Sequence, residues 1–244
     1  MDPLYILVEQ TLRATGVLIR RTLPAEPCPV LKPERFPWLG DLMANWRTIR
    51  DEVDHARELS VVAQDTRRLN PLSVPVVGAW ELLPLRTHRG WVRSVAVHFP
   101  VTVGILRTIP GLRCADFAVL AGSSSIAAHQ GTNWGVLRAH LALRVPEGDG
   151  RCELTFPADG MSRPWREGEA FIFDDMHEHA AVNERAGDRL VLLVEVERPL
   201  PRPARLVNKL ALDMYRLHPV VRATHRTLRT VSWELVSRRA DNSD

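Results

Sequence analysis

The run Val136-Leu137-Arg138-Ala139-His140-Leu141-Ala142-Leu143-Arg144-Val145 alternates with period two. Successive side chains of an extended strand point to opposite faces. Arg138, His140 and Arg144 therefore share one side, and Leu137, Ala139, Leu141, Leu143 and Val145 the other. A second run, 188–197, repeats the arrangement, with Arg189, Val191, Leu193 and Glu195 opposite Leu190, Leu192, Val194 and Val196. Polar residues alternating inside otherwise apolar strands fit a β-barrel whose mouth holds a ligand.

Around these two strands the chain breaks into short apolar segments separated by Gly, Pro and Asp. Strands are expected at 74–80, 90–98, 114–121, 124–128, 135–145, 151–156, 170–173, 179–183 and 188–197. Many short strands between such turns indicate an all-β barrel or jelly roll. Helical spacing holds at the two ends. Leu4 to Thr22 carries an irregular apolar stripe, and Leu42, Trp46, Ile49, Val53 and Ala56 recur at three and four with Asp41 at the start. Pro100 to Ile109 reads as a short helix ahead of Pro110-Gly111. Beyond Pro199, the stripe Leu206, Leu210, Met214, Leu217 ends at Pro219, and a second runs from Val221 to Leu235. The expected organisation is a helical extension (1–70) packing on a mainly β core (71–200), followed by C-terminal helices (201–244).

Composition narrows the function. A 244-residue chain that is 45% hydrophobic and 25% charged can bury a large core and reads as a soluble globular protein. The net charge of +3 comes with neither a dense basic face nor a recognition motif, so nucleic acid is not an expected partner. Cys28, Cys114 and Cys152 lie far apart with no CxxC, which fits a reducing cytoplasm better than a disulfide framework. The charges in the first 23 residues argue against a membrane span or secretory core there.

His129 and His179 stand fifty residues apart at the edges of strand-like segments, with Arg189 ten residues further on. This spacing suggests one metal and one dicarboxylate co-substrate. The ordered set Pro110-Gly111, His129-Gln-Gly-Thr-Asn, Leu137-Arg-Ala-His-Leu, Trp165-Arg-Glu-Gly-Glu, Phe173-Asp-Asp, His179, Arg189 and Arg198-Pro199 resembles the aspartyl/asparaginyl β-hydroxylase family over roughly residues 70 to 200. The resemblance implies a double-stranded β-helix (a jelly-roll, cupin-like barrel) flanked by N- and C-terminal helices. It also implies an iron(II)-dependent dioxygenase that uses 2-oxoglutarate and O2 as co-substrates and hydroxylates the β-carbon of an aspartyl or asparaginyl group, in a peptide or a small acid.

On this resemblance His129 and His179 are the catalytic metal ligands, and Arg189 clamps the distal carboxylate of 2-oxoglutarate by a two-pronged contact. Arg138 and His140 match residues near the co-substrate, and either could instead hold a substrate carboxylate. Two histidines and a carboxylate usually hold iron in such oxygenases. The carboxylate position, two residues after the first histidine, is Gly131 here, as in the animal enzymes of the family, leaving it to water or another anion. Asp174 and Asp175 read as turn residues, one of them orienting a histidine. His55, His88, His98, His218 and His225 read as background, and His177 as a turn residue. Ala118 falls where the animal enzymes carry a hydroxyl, and Val136 where they carry a second arginine.

Three further readings use the same residues. Bacterial lipid A acyl hydroxylases share a similar Gly135-to-Leu141 strand and a Glu197-Arg198-Pro199 ending, and arginine-faced C-terminal helices could rest on an anionic membrane, although a solvated basic face is the simpler expectation. Gly131 leaves room for the halide of a halogenase. A non-catalytic metal-binding barrel is the third.

Overall fold

In the computed structural model, described over residues 3–23, 28–58, 64–65, 74–131 and 133–230, thirteen strands form two facing antiparallel sheets. In chain order they are β1 (Val30–Leu31), β2 (Gln64–Asp65), β3 (Val76–Val77), β4 (Trp80–Thr87), β5 (Gly90–Trp91), β6 (Leu112–Leu120), β7 (Ser124–His129), β8 (Val136–Arg144), β9 (Cys152–Phe156), β10 (Met161–Pro164), β11 (Ala170–Phe173), β12 (His179–Asn183) and β13 (Arg189–Glu197). The larger sheet runs β1-β11-β8-β13-β6-β4-β2, with β5 on β4, and the smaller runs β10-β9-β12-β7-β3. The chain crosses repeatedly between the two, as in a double-stranded β-helix. Helices α1 (Pro3–Thr22), α2 (Trp38–Ala44), α3 (Trp46–Glu58), α4 (Arg93–Ala96), α5 (Pro100–Thr108), α6 (Ala204–Tyr215) and α7 (Pro219–Thr230) flank the sheets.

Strand alternation sorts the side chains into two cores. Leu137, Ala139, Leu141, Leu190, Leu192, Val194 and Val196 face outward from the larger sheet and pack under Leu39, Leu42, Ile49, Val53, Phe99 and Leu106 of the segment that carries α2, α3 and α5. Between the sheets, Ala118, Phe156, Phe171, Phe173, Ala181 and Val191 form the inner core. Glu52 of α3 ties this helical layer together: its carboxylate accepts from the main-chain N–H groups of Val101 (2.7 Å) and Thr102 (2.9 Å) at the start of α5. These are donors that a helix cannot satisfy internally.

The structure departs from the expected elements at several points, one being the additional strand β10. Arg144, expected beside Arg138 and His140, lies on the outer face and pairs with Asp54 of α3 at 2.6 Å. The ladder explains this: Leu190 faces Arg144 while Val191 faces Ala142, so a bulge at Leu143 turns the strand's last side chain over. The stretch 90–98 makes only the two-residue β5 before the chain turns into α4. β4, expected only at its first residue, occupies 80–87. The single helix expected through Leu42 and Trp46 is interrupted at Asn45, whose φ of −107° and ψ of 11° leave the helical region. The stripe expected to reach Leu235 is described only as far as Thr230.

α1 and α6 pack on each other beside the open end of the sandwich, through Val8, Leu12, Ala211 and Tyr215. Fully buried Asn208 fastens α6 to the loop between β7 and β8, donating to the Gly135 carbonyl at 2.8 Å. A Cβ at Gly135 would collide with the Asn208 amide. Among the described residues, no helix is long and apolar enough to cross a membrane.

Candidate metal and co-substrate site

His129 ends β7 and His179 begins β12, and the ladder makes them Cα partners. Their rings lie 4.2 Å apart, centroid to centroid, at 52°. Each Nδ1 sits 2.8 Å from a carbonyl two residues back, Ala127 for His129 and His177 for His179. A carbonyl only accepts, so each Nδ1 carries the proton and each Nε2 keeps a free lone pair. Burial lowers the pKa of both rings, that of His179 to about 4. Two neutral imidazoles with oriented, unprotonated Nε2 atoms are suitable donors for ferrous iron, so the residues present fit the metal. The histidines are oriented by main-chain carbonyls and not, as expected, by Asp174 or Asp175.

Gly131 has no room for a side chain. A Cβ there would meet the Asp175 carboxyl at 2.5 Å, and the Gly131 N–H donates to the Asp175 carbonyl at 2.6 Å. The space that a carboxylate at 131 would take is filled by a carboxyl from the neighbouring loop. Asp175 is buried, its Oδ2 lies 3.1 Å from Arg138 Nε, and its Oδ1 has no hydrogen-bond partner. Desolvation pushes its pKa up to about 6, against the pull of Arg138. Asp174 turns the other way, its Oδ1 2.6 Å from Arg198 Nη2, both groups almost fully buried.

Arg189 opens β13 and is 2% exposed. Its guanidinium lies 4.3 Å over the Trp165 ring, its Nε has no hydrogen-bond partner, and no carboxylate pairs with it among the described residues. Burial lowers its pKa to about 10. A buried guanidinium supported only by an aromatic face lacks a counter-charge, and a planar carboxylate matches its donor fork. His140 lies alongside. The Trp165 indole N–H donates to its Nδ1 at 3.3 Å, which leaves the proton on Nε2. Burial, then Arg189, holds this ring well below the usual histidine pKa, so it is a neutral donor.

All five residues expected at the site, His129, His179, Arg138, His140 and Arg189, line one small cavity of about 30 Å³. Ala118 lines it too, and its methyl offers no hydroxyl contact there. A second cavity of about 220 Å³ adjoins it, sharing Trp80, Arg138 and Leu193. Leu12, Leu82, Val136, Leu212 and Tyr215 give it apolar walls, while His88, Cys114, Asp116, Asp175 and Glu195 provide a polar floor. Within that floor His88 Nε2 is 3.0 Å from Glu195 Oε1, and one donor atom from each of His88, Cys114 and Glu195 falls within 4.8 Å of the others. Burial, then Glu195, pushes the Cys114 thiol well up, which disfavours the thiolate that a metal would need. Burial and then Glu195 raise Asp116 to about 7.

Neither His88 nor Asp116 carries a signal in the sequence alone. Glu195 carried a usable signal, since alternation already placed it on the side of Arg189.

The fold is thus a jelly roll whose inner cavity brings together two histidines with free Nε2 atoms and a buried arginine. The family model for aspartyl/asparaginyl β-hydroxylases matches residues 43–199, and the chain belongs to that family. It is 29% identical over 208 residues to the ornithine lipid ester-linked acyl 2-hydroxylase of Rhizobium tropici, covering 80% of this chain and 69% of that protein. It is 35% identical over 103 residues to the human aspartate β-hydroxylase domain-containing protein 2, covering 40% of this chain and 27% of that one. Among solved structures, a Pseudomonas putida prolyl-4-hydroxylase superposes with a TM-score of 0.40 at 16% identity, over 64% of this chain and 88% of the other.

Proposed function

We propose that the protein is an iron(II)- and 2-oxoglutarate-dependent hydroxylase acting on an acyl chain of a lipid whose polar end is cationic. The observation that carries the oxygenase reading is Arg189, a buried cation without an acid partner among the described residues, in the same cavity as two free imidazole Nε2 atoms. His129 and His179 would hold the metal. When bound, ferrous iron lets O2 split between the co-substrates, one oxygen entering succinate as CO2 leaves and the other entering a substrate C–H bond.

The chain's own groups do the placing. Arg189 takes the distal carboxylate of 2-oxoglutarate, and the Trp165 face under the guanidinium holds it in place. His140 offers its Nε2–H to the co-substrate. Phe156 and Phe173 pack against His179 at centroid distances of 6.3 and 5.4 Å and keep water from the metal side. Arg138, tied to Asp175, stands between the two cavities.

Substrate class follows from the larger cavity. An aspartyl side chain, the substrate expected from family resemblance, would bring a fourth carboxylate to a floor that already holds Asp116, Asp175 and Glu195 against Arg138 and His88. Val136 offers no second arginine to receive it. Apolar walls over an acidic floor suit an alkyl chain joined to an amine. The likeness to the Rhizobium tropici acyl hydroxylase supports the same choice.

The test is aerobic turnover with iron(II) and 2-oxoglutarate against amine-headed acyl lipids, aspartyl peptides and free amino acids. Succinate should form stoichiometrically with a lipid product heavier by one oxygen atom derived from O2. Turnover of aspartyl peptides alone would return the substrate to the peptide class, and a chloride-dependent product mass would indicate halogenation. Absence of succinate with every class would leave a binding barrel.

A further inference from the structure

Among the described residues, nine large apolar side chains are strongly exposed, and six of them sit on or just after two helices: Ile6, Val17 and Leu18 on α1, Leu206 and Leu210 on α6, and Leu217 just beyond it. On α6 the helical period gathers Leu206 and Leu210 on one face. On α6 the buried positions are Ala204, Asn208, Ala211 and Leu212. At 100° per residue, Leu206 and Leu210 project within roughly 40° of each other on the opposite side, and Leu217 follows the helix end. Leu206 and Leu210 are 63% and 65% exposed. A second stripe of Arg205, Lys209 and Arg216, all exposed, runs beside the leucines. α1 buries Val8, Leu12 and Ile19, exposes Val17 and Leu18, and ends in exposed Arg20 and Arg21. Acid is sparse here: the α1 sequence contains only Glu9, and Asp213 of α6 is engaged by Arg113 at 3.0 Å.

Exposed apolar residues edged by cations on paired surface helices are the features of helices that lie in the interfacial plane of an anionic bilayer. The same two helices roof the larger cavity, with Leu12 from α1 and Leu212 and Tyr215 from α6. We propose that the α1/α6 pair is a docking surface for an anionic phospholipid bilayer, seating the cavity mouth against the layer from which its substrate comes. This rests on the acyl-lipid reading of the active site. Charge selects the occupant: a second copy of this chain would set like basic stripes against each other, whereas an anionic headgroup layer complements both stripes.

The full chain should co-sediment with phosphatidylcholine vesicles containing phosphatidylglycerol, only weakly with phosphatidylcholine alone, and less well as salt is raised. Leu206→Asn/Leu210→Asn/Leu217→Asn should lower the vesicle partition coefficient about tenfold or more. Its turnover of detergent-dispersed lipid should match the parent, because none of the three lines either site cavity, while turnover of the same lipid in vesicles should fall in step with binding. Val17→Asn/Leu18→Asn gives an independent variant on the other helix. Unchanged partitioning in both variants, or a parent chain that ignores anionic vesicles, would overturn the proposal. So would a parent dimer in light scattering that the leucine variant dissociates. Failure of detergent-dispersed turnover in the parent would refute the lipid substrate, whereas vesicle binding is read without any turnover.

Discussion

His129 and His179 face each other as register partners across β7 and β12, and each ring is anchored through Nδ1 to a carbonyl two residues upstream in its own chain. The same local device is used twice, from opposite strand directions, and it leaves two Nε2 atoms available to one ion. His129→Ala and His179→Ala should each lower ferrous iron affinity by about two orders of magnitude or more and abolish succinate formation. His129 is partly exposed, so its variant should melt close to the parent. Isothermal titration with iron under anaerobic conditions checks the first expectation, and retained turnover in either variant would sink the ligand assignment.

Arg189 gives a prediction in which stability and function move in opposite directions. A buried guanidinium with no acid partner costs desolvation energy that only a bound anion repays. Arg189→Gln should therefore raise KM for 2-oxoglutarate about 30-fold or more while leaving the ligand-free protein as stable as the parent or more so. Adding 2-oxoglutarate should raise the melting temperature of the parent and not of the variant. A large loss of stability in the ligand-free variant would mean that Arg189 is structural.

The buried Asp174–Arg198 pair behaves differently. Arg198 also donates to the Trp134 carbonyl at 2.7 Å, so it links the loop before β12 to the loop after His129. Asp174→Ala leaves the guanidinium buried and unpaired, at a cost of about 3–5 kcal/mol. Denaturant unfolding should show that loss at unchanged slope. If the cost is under about 1 kcal/mol, the pair does not hold the two loops together.

Much of this architecture is legible in the chain, for reasons that differ by element. β8 and β13 announce themselves because one face meets a helical layer and the other a polar cavity, so their alternation is sharp. β4 does not: Leu82-Leu83-Pro84-Leu85 is apolar without period, since the strand has neighbours on both faces, and its proline argues against a strand until the ladder shows a register shift there. The bulge at Leu143 is invisible because it arises from how β8 pairs with β13, not from any residue type. At the site, the histidines and Arg189 fall in one ordered motif. His88, Asp116 and Glu195 come from three strands or strand ends separated by intervening strands and helices, and only tertiary folding puts them on one floor. Gly131 reads as a vacancy in the sequence, and the carboxyl that fills it comes from Asp175, on a loop that only the pairing of β12 with β7 brings alongside.

That floor makes the last prediction. Asp116 titrates near 7 because burial and the neighbouring Glu195 oppose its charge, although Arg138 pulls the other way. An acid whose folded pKa lies above its unfolded value stabilises the fold below the unfolded value, and this contribution is lost as pH rises from about 4 through about 7. Asp116→Asn removes the titration, so relative to the parent it should gain melting temperature at about pH 8 and show little difference at about pH 5. The groups facing Asp116 in the cavity are Glu195, Asp175, Arg138, His88 and Cys114. An ammonium placed among them favours the ionised acid, so affinity for an amine-headed acyl lipid should strengthen as pH rises through about 7, and Asp116→Asn should flatten that dependence. An N-acetylated, uncharged version of the same lipid should show neither effect. Equal binding of the charged and acetylated lipids by the parent would rule out the floor as an ammonium site while leaving the metal centre untouched.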